Sequence, residues 1–198
     1  MIYLLHMTDS TIIKKSNSPK GFRIMKNIVL VGLMGAGKST VGRKLAEHIG
    51  VRFIDSDNEI VEAAKCSISD IFEIYGETAF RDLEKRVILR LLSEEPMIIA
   101  TGGGAFINPE IREEIEKYGF SIWLSADIET LLDRVSRRNT RPLLETGNKR
   151  EILSKLMNER NHLYALADAE IDNSHENQAK LIANIIISLK ENNVLKEI

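Results

Sequence analysis

Residues 32–40 read GLMGAGKST, directly after the apolar run NIVLV and directly before a stretch with apolar residues at helical spacing. Strand, glycine-rich turn and helix in that order constrain this chain more than any other feature. The glycines let the backbone curl until successive N–H groups face one point. The following helix aims its positive end at the same point. G-x-x-x-x-G-K-[ST] in that setting suits a nucleotide phosphate. Its lysine reaches the β- and γ-phosphates, and the next hydroxyl ligates Mg²⁺. The alternative is a glycine-rich turn that merely precedes a helix. The candidate nucleotide-binding residues are Gly35, Ala36, Gly37, Lys38, Ser39 and Thr40, with Lys38 also catalytic and Ser39 the metal ligand.

From residue 26 onward, short apolar runs alternate with helical stretches. KNIVLVG, VRFID, PMIIATG, FSIWLS and AEIDN are five candidate strands, most of them continuous in apolar character as expected of parallel strands covered on both faces. Between them lie STVGRKLAEHIG, closed by Gly50, and TAFRDLEKRVILRLLSEE, with Phe80, Leu83, Val87 and Leu91 on one stripe. In NPEIREEIEKYG, Asn108 stands at the N-cap and Pro109 at the first helical position. Three more helices complete the set, with extra helices after the second strand. The pattern predicts a three-layer α/β/α domain on a five-stranded parallel sheet.

The 198 residues suffice for one packed domain, expected over 25–198. Residues 1–24 lack a period and read as a flexible extension, with Met25 ahead of the first convincing strand. A net charge of −2 gives no general basic character for nucleic acid, although Arg134 to Arg141 form a local basic cluster. The apolar runs are too short to span a membrane. The single cysteine, Cys66, reads as a packing residue and is compatible with a reducing compartment. The expectation is a cytoplasmic monomer without nucleic-acid or membrane partners.

Four features bear on what accepts the phosphoryl group. Asp55 and Asp57 in FIDSDNE follow the second strand, where ligands gather in open α/β sheets. They are candidates to hold a metal, hold a substrate, take a proton or cap the next helix. ATGGGA, residues 100–105, offers bare backbone N–H groups, or is only a flexible turn. Arg81, with Glu77 four residues before it and Lys85 four after, taken alone reads as a solvated helix-face arginine. VSRRNTRPLLETGNK, broken by Pro142 and Gly147, reads as a mobile loop between two helices, and LMNERNHLY follows it.

Together GLMGAGKST, D-S-D, GETAFR, ATGGGA, RPLL and ERNHLY resemble the shikimate kinases, in that family's order and at its usual separations. The resemblance spans about residues 26–190 and implies a P-loop kinase fold with a substrate-binding helical insertion (residues 57–84) and a lid (residues 137–149). It implies transfer of the ATP γ-phosphoryl group to the shikimate 3-hydroxyl with Mg²⁺. It also implies that Asp57 holds shikimate hydroxyls and acts in catalysis. Asp55 stands near Mg²⁺, through water, and Arg81 and Arg160 take the shikimate carboxylate. Gly103 contacts the substrate, and Arg141 is the lid arginine that reaches ATP. His162 stands where the family commonly has proline, and IDNSHEN matches its adenine-contacting loop only loosely. Other small-molecule kinases, for gluconate or nucleoside monophosphates, and an inactive nucleotide-responsive binding module are the rival readings.

Overall fold

A computed structural model describes residues 21–137, 148–175 and 177–198. The strands are β1 (Phe22–Ile24), β2 (Asn27–Val31), β3 (Phe53–Asp55), β4 (Ile98–Ala100), β5 (Gly119–Ser125), β6 (Ala169–Asp172) and β7 (Leu195–Glu197). The helices are α1 (Lys38–Ile49), α2 (Ser56–Ala64), α3 (Ile68–Leu92), α4 (Pro109–Tyr118), α5 (Ile128–Ser136), α6 (Lys149–Tyr164) and α7 (Gln178–Glu191). The five expected strands form one parallel sheet, in the order β3-β4-β2-β5-β6. β2 lies at its centre and all five of its residues are buried. Covered on both faces, it has no use for alternation.

The central position of β2 delivers the glycine-rich turn to the middle of the sheet's carboxyl edge. At its other end Asn27, buried, donates through Nδ2 to the carbonyls of Leu92 (3.0 Å) and Tyr118 (3.2 Å). It also accepts from the Met97 N–H at 3.1 Å. One side chain thus satisfies the ends of two helices and the entry to β4, groups that would be costly to bury unpaired.

Gly50 closes α1 in the left-handed region, and Asn108 with Pro109 opens α4, as the spacing predicts. Cys66 packs partly buried against the core. Two boundaries differ from expectation. Helix α3 begins ten residues ahead of the stretch read from Thr78, starting at a Ser67/Asp70 capping box, and bends at Gly76. The chain is also ordered before Met25: β1 pairs antiparallel with β7, and Met25 N–H donates to Val194 at 2.9 Å. Strands of three residues carry too little pattern to be read from sequence.

Candidate active site

The turn after β2 is built from backbone. Gly32, Gly35 and Gly37 all adopt positive φ. Gly37, at φ 93°, is the N-cap of α1, and a Cβ there would lie 2.8 Å from Asn173 Nδ2. That amide donates to the Ala36 carbonyl at 2.8 Å, fastening the turn to the end of β6. Lys38 lies buried in the first turn of α1, its Nζ donating to the carbonyls of Gly32 (2.6 Å) and Leu33 (2.9 Å). Ser39 and Thr40 line the adjoining cleft, about 330 Å³, with Asp55, Asp57, Thr101, Arg134 and Gln178.

Arg134, on α5, donates to the Asn173 carbonyl at 2.7 Å and reaches within 3.5 Å of Gly35 O. Burial holds its pKa below the ordinary arginine value, against the pull of Asp127, Asp133 and Asp172. A guanidinium keeps its charge in proteins, so Arg134 is a cation beside the phosphate turn.

D-S-D divides three ways. Asp55 ends β3 and caps α2, its Oδ1 accepting from the Asp57 N–H at 3.0 Å. Its Oδ2 accepts from the Ser39 hydroxyl at 2.5 Å, joining D-S-D to the phosphate turn. Capping therefore belongs to Asp55, and Asp57 already lies within the first turn of α2. Ser56, fully buried, accepts from the Gly102 N–H at 3.2 Å. Asp57 rests against Gly102, where a Cβ would stand 2.8 Å from its Oδ1 and 2.9 Å from Glu84 Oε1. Only a residue without a side chain leaves room for both carboxylates.

Arg81 is not a solvated-face residue. Its guanidinium covers Gly104, with Nη1 only 2.5 Å from where a Cβ would stand. It donates to Glu84 Oε2 at 2.8 Å and to Glu77 Oε1 at 3.2 and 3.1 Å. Burial works against its charge, but Glu84 and Glu77 outweigh that and raise its pKa. Glu84 itself is 1% exposed. Burial pushes its carboxyl above the ordinary carboxylate range despite Arg81, and nearby Asp57 adds to the rise. Among the described residues its Oε1 is the buried side-chain polar atom without a hydrogen-bond partner.

From α6, Arg160 donates to the Gly103 carbonyl at 3.2 Å. Tyr164, four residues later and so on the same helical face, donates its hydroxyl to the same carbonyl. Its ring is fully buried, and burial pushes the hydroxyl pKa to about 12.

Asp57, Arg81 and Arg160, spread over more than a hundred residues of sequence, thus gather on the glycine triplet 102–104, and Asp57 also lines the cleft with Lys38 and Ser39. Arg141 and residues 138–147 of the expected lid lie outside the described residues. Sequence reasoning missed Ser56, Glu84, Arg134, Tyr164 and Asn173. Glu84 left a trace: it is a carboxylate on the apolar stripe of α3, three residues after Arg81. Tyr164 stood one helical turn past Arg160. His162 is exposed on α6, as expected for a surface residue.

The family model described as shikimate kinase matches residues 34–190. The curated shikimate kinase of Bartonella henselae is 45% identical over 188 residues, 89% of this chain and 90% of that protein. That of Brucella canis is 49% identical over 161 residues, 81% of this chain and 80% of that protein. The shikimate kinase of Acinetobacter baumannii, solved in complex with shikimate, superposes with a TM-score of 0.81 at 38% identity, covering 85% of this chain and 95% of that one. With a phosphate turn, a divided D-S-D and two arginines gathered around a glycine triplet, and with relatives of this identity and coverage, the chain belongs to the shikimate kinase family of ATP-dependent kinases.

Proposed function

We propose that the chain transfers the γ-phosphoryl group of ATP to the 3-hydroxyl of shikimate, giving shikimate 3-phosphate and ADP, a step of chorismate and aromatic amino acid biosynthesis. The observation that carries this reading is the distribution of charge across the cleft. One wall is the lysine-bearing phosphate turn. The acceptor wall is assigned to the glycine triplet, with Arg160 at Gly103 and Arg81 at Gly104, while Asp57, against Gly102, lines the cleft. A small carboxylate bearing hydroxyls complements that wall, because planar guanidinium suits carboxylate and an anionic Asp suits hydroxyl donors.

In this assignment Gly35, Ala36, Gly37, Lys38, Ser39 and Thr40 hold the ATP phosphates. Arg81 and Arg160 bind the substrate carboxylate, and the backbone at Gly103 contacts the substrate. Their anchoring fixes which hydroxyl faces the γ-phosphate, which is catalysis by positioning. Asp57 orients the accepting hydroxyl and takes its proton late, since a loose phosphoryl-transfer transition state needs little early proton removal. Lys38 and Arg141 offset charge on the transferring group, and closure of residues 137–149 keeps water out.

The donor set fits Mg²⁺. Ser39 Oγ and Asp55 Oδ2 are hard oxygens 2.5 Å apart. Among the described residues no group of three His, Cys, Asp or Glu side chains forms an all-protein cage. That suits an ion which keeps water and phosphate ligands, with Ser39 direct and Asp55 through water. Held there, Mg²⁺ would offset negative charge on the ATP phosphates. The rest of the assignment is one domain that includes β1, with α2 and the first part of α3 as the acceptor-binding unit. It is a cytoplasmic monomer acting on small molecules, without nucleic-acid or membrane partners. Among the described residues no helix is long and apolar enough to cross a membrane.

The test is ADP release by purified protein with MgATP and shikimate, run beside gluconate and nucleoside monophosphates. Shikimate-dependent release that the other acceptors fail to match is expected. Turnover with one of them and none with shikimate overturns the reading.

A further inference from the structure

We propose that Tyr164 is a positioning residue for the acceptor: its buried hydroxyl clamps the Gly103 carbonyl and thereby sets the spacing between Arg81 and Arg160. The inference rests on the reading above, in which those arginines bind the substrate carboxylate.

The Gly103 carbonyl has two lone pairs, and it receives two donors from one face of α6, Arg160 Nη1 at 3.2 Å and the Tyr164 hydroxyl. Holding that oxygen holds the whole plane of the following peptide. That plane ends at Gly104, on whose α-carbon the Arg81 guanidinium rests. The glycine turn therefore stands between the two arginines, and the tyrosine is the uncharged group that fixes it. Glycine backbone has little stiffness of its own, so two adjacent glycines need an external anchor to keep one geometry.

The ring of Tyr164 is itself held. It stacks between Phe106 (centroids 6.5 Å apart) and Trp123 (6.0 Å). Trp123 Cδ1 in turn lies 3.2 Å from where a Cβ would stand on Gly32, at the start of the phosphate turn. Ring and turn thus share one rigid wall, and the hydroxyl has a fixed origin. Burial raises the Tyr164 pKa to about 12, so at neutral pH the group is a protonated donor, as the clamp requires.

Tyr164→Phe deletes the clamp and leaves the stack. Steady-state kinetics with each substrate varied should show the shikimate KM rising about five- to tenfold, the worth of one buried hydrogen bond. The ATP KM and kcat should stay within about twofold. The same change made on an Arg160→Ala background should move the shikimate KM less than about twofold, because the clamp then has one arginine fewer to position. An unchanged shikimate KM in Tyr164→Phe overturns the proposal. So does an equal rise in the ATP KM, or a full-sized effect on the Arg160→Ala background, since either is what general loosening would give. If Arg160→Ala by itself leaves the shikimate KM unchanged, the carboxylate assignment fails instead, and the two failures are told apart.

Discussion

The two walls of the cleft are made in different ways. The phosphate wall is nearly all backbone from one run of nine residues, its shape set by glycines at positive φ and by the start of α1. The acceptor wall is nearly all side chain, drawn from α2, α3, the glycine turn after β4, and α6. Each charged group there rests on another side chain or on the glycine turn: Arg81 on Glu84 and Glu77, Arg160 on Gly103, Asp57 and Glu84 together on Gly102. A backbone cradle recognises an anion common to all nucleotides. A side-chain mosaic recognises one acceptor. The walls share one side-chain hydrogen bond, Ser39 to Asp55, and meet otherwise by packing of the glycine triplet and Trp123 on the phosphate turn, so a variant that deletes a charged side chain on one side should leave binding on the other nearly intact.

The largest expected effect is on the phosphate side. Lys38→Ala removes a cation that sits over the turn, holding the Gly32 and Leu33 carbonyls. It should lower kcat by roughly a hundred- to a thousandfold, the usual cost of losing one preorganised charge at a transferring phosphoryl group. Calorimetric titration with shikimate alone should still give affinity within about twofold of the parent. Comparable loss of shikimate affinity would break the separation of the two walls.

On the acceptor side, Arg160→Ala should raise the shikimate KM about ten- to a hundredfold, the range for a hydrogen bond to a charged group, with the ATP KM little changed. Arg81→Ala should do the same and also cost stability, because it strands Glu84, whose side chain is 2% exposed. The sign of the pH dependence follows. Burial already holds Glu84 above its ordinary 4.5, and Arg81 pulls it back. A carboxyl with a raised folded pKa contributes fully to stability below its unfolded value and loses that contribution as pH rises through the folded one. Without Arg81 the folded value climbs further. The Tm deficit of Arg81→Ala against the parent should be smallest near pH 4.5 and widen toward neutrality, measured by thermal melts across that range. A deficit independent of pH would mean that Glu84 finds another partner.

The same contrast explains what the sequence let one read. The phosphate turn is contiguous, so its spacing is its geometry, and the five strands announce themselves as apolar runs. Asp55 and Asp57 were separable in kind but not in detail: capping falls to Asp55, since β3 ends there and α2 starts at Ser56. Glu84 and Tyr164 carry only a faint local signal, because their work depends on Gly102 and Gly103 arriving from another element. The β1–β7 pair escaped for a different reason. Three residues are too few to show alternation, and the pairing joins Phe22–Ile24 to Leu195–Glu197 across most of the sequence.

The smallest effect should come from the joint by which the acceptor wall hangs on the core. Gly76, at φ 80° and ψ 172°, bends α3 between residues 68–75, which follow α2 in sequence, and residues 77–92, which carry Arg81 and Glu84. A Cβ there would meet nothing within 4 Å, so Gly76→Ala tests the backbone alone. A side chain at that φ and ψ costs about 1–3 kcal/mol unless the bend relaxes. Relaxation would swing α2, and with it Asp57, against an anchor made by the Arg90–Glu59 ion pair at 2.6 Å. The shikimate KM should therefore rise about two- to fivefold as that carboxylate loses its alignment with the glycine turn. The ATP KM should not move, because α1 and the phosphate turn are held by β2 and Asn173 rather than by α3. Matching changes in both constants would show that the two walls share one joint, and the contrast between them would then be one of construction only.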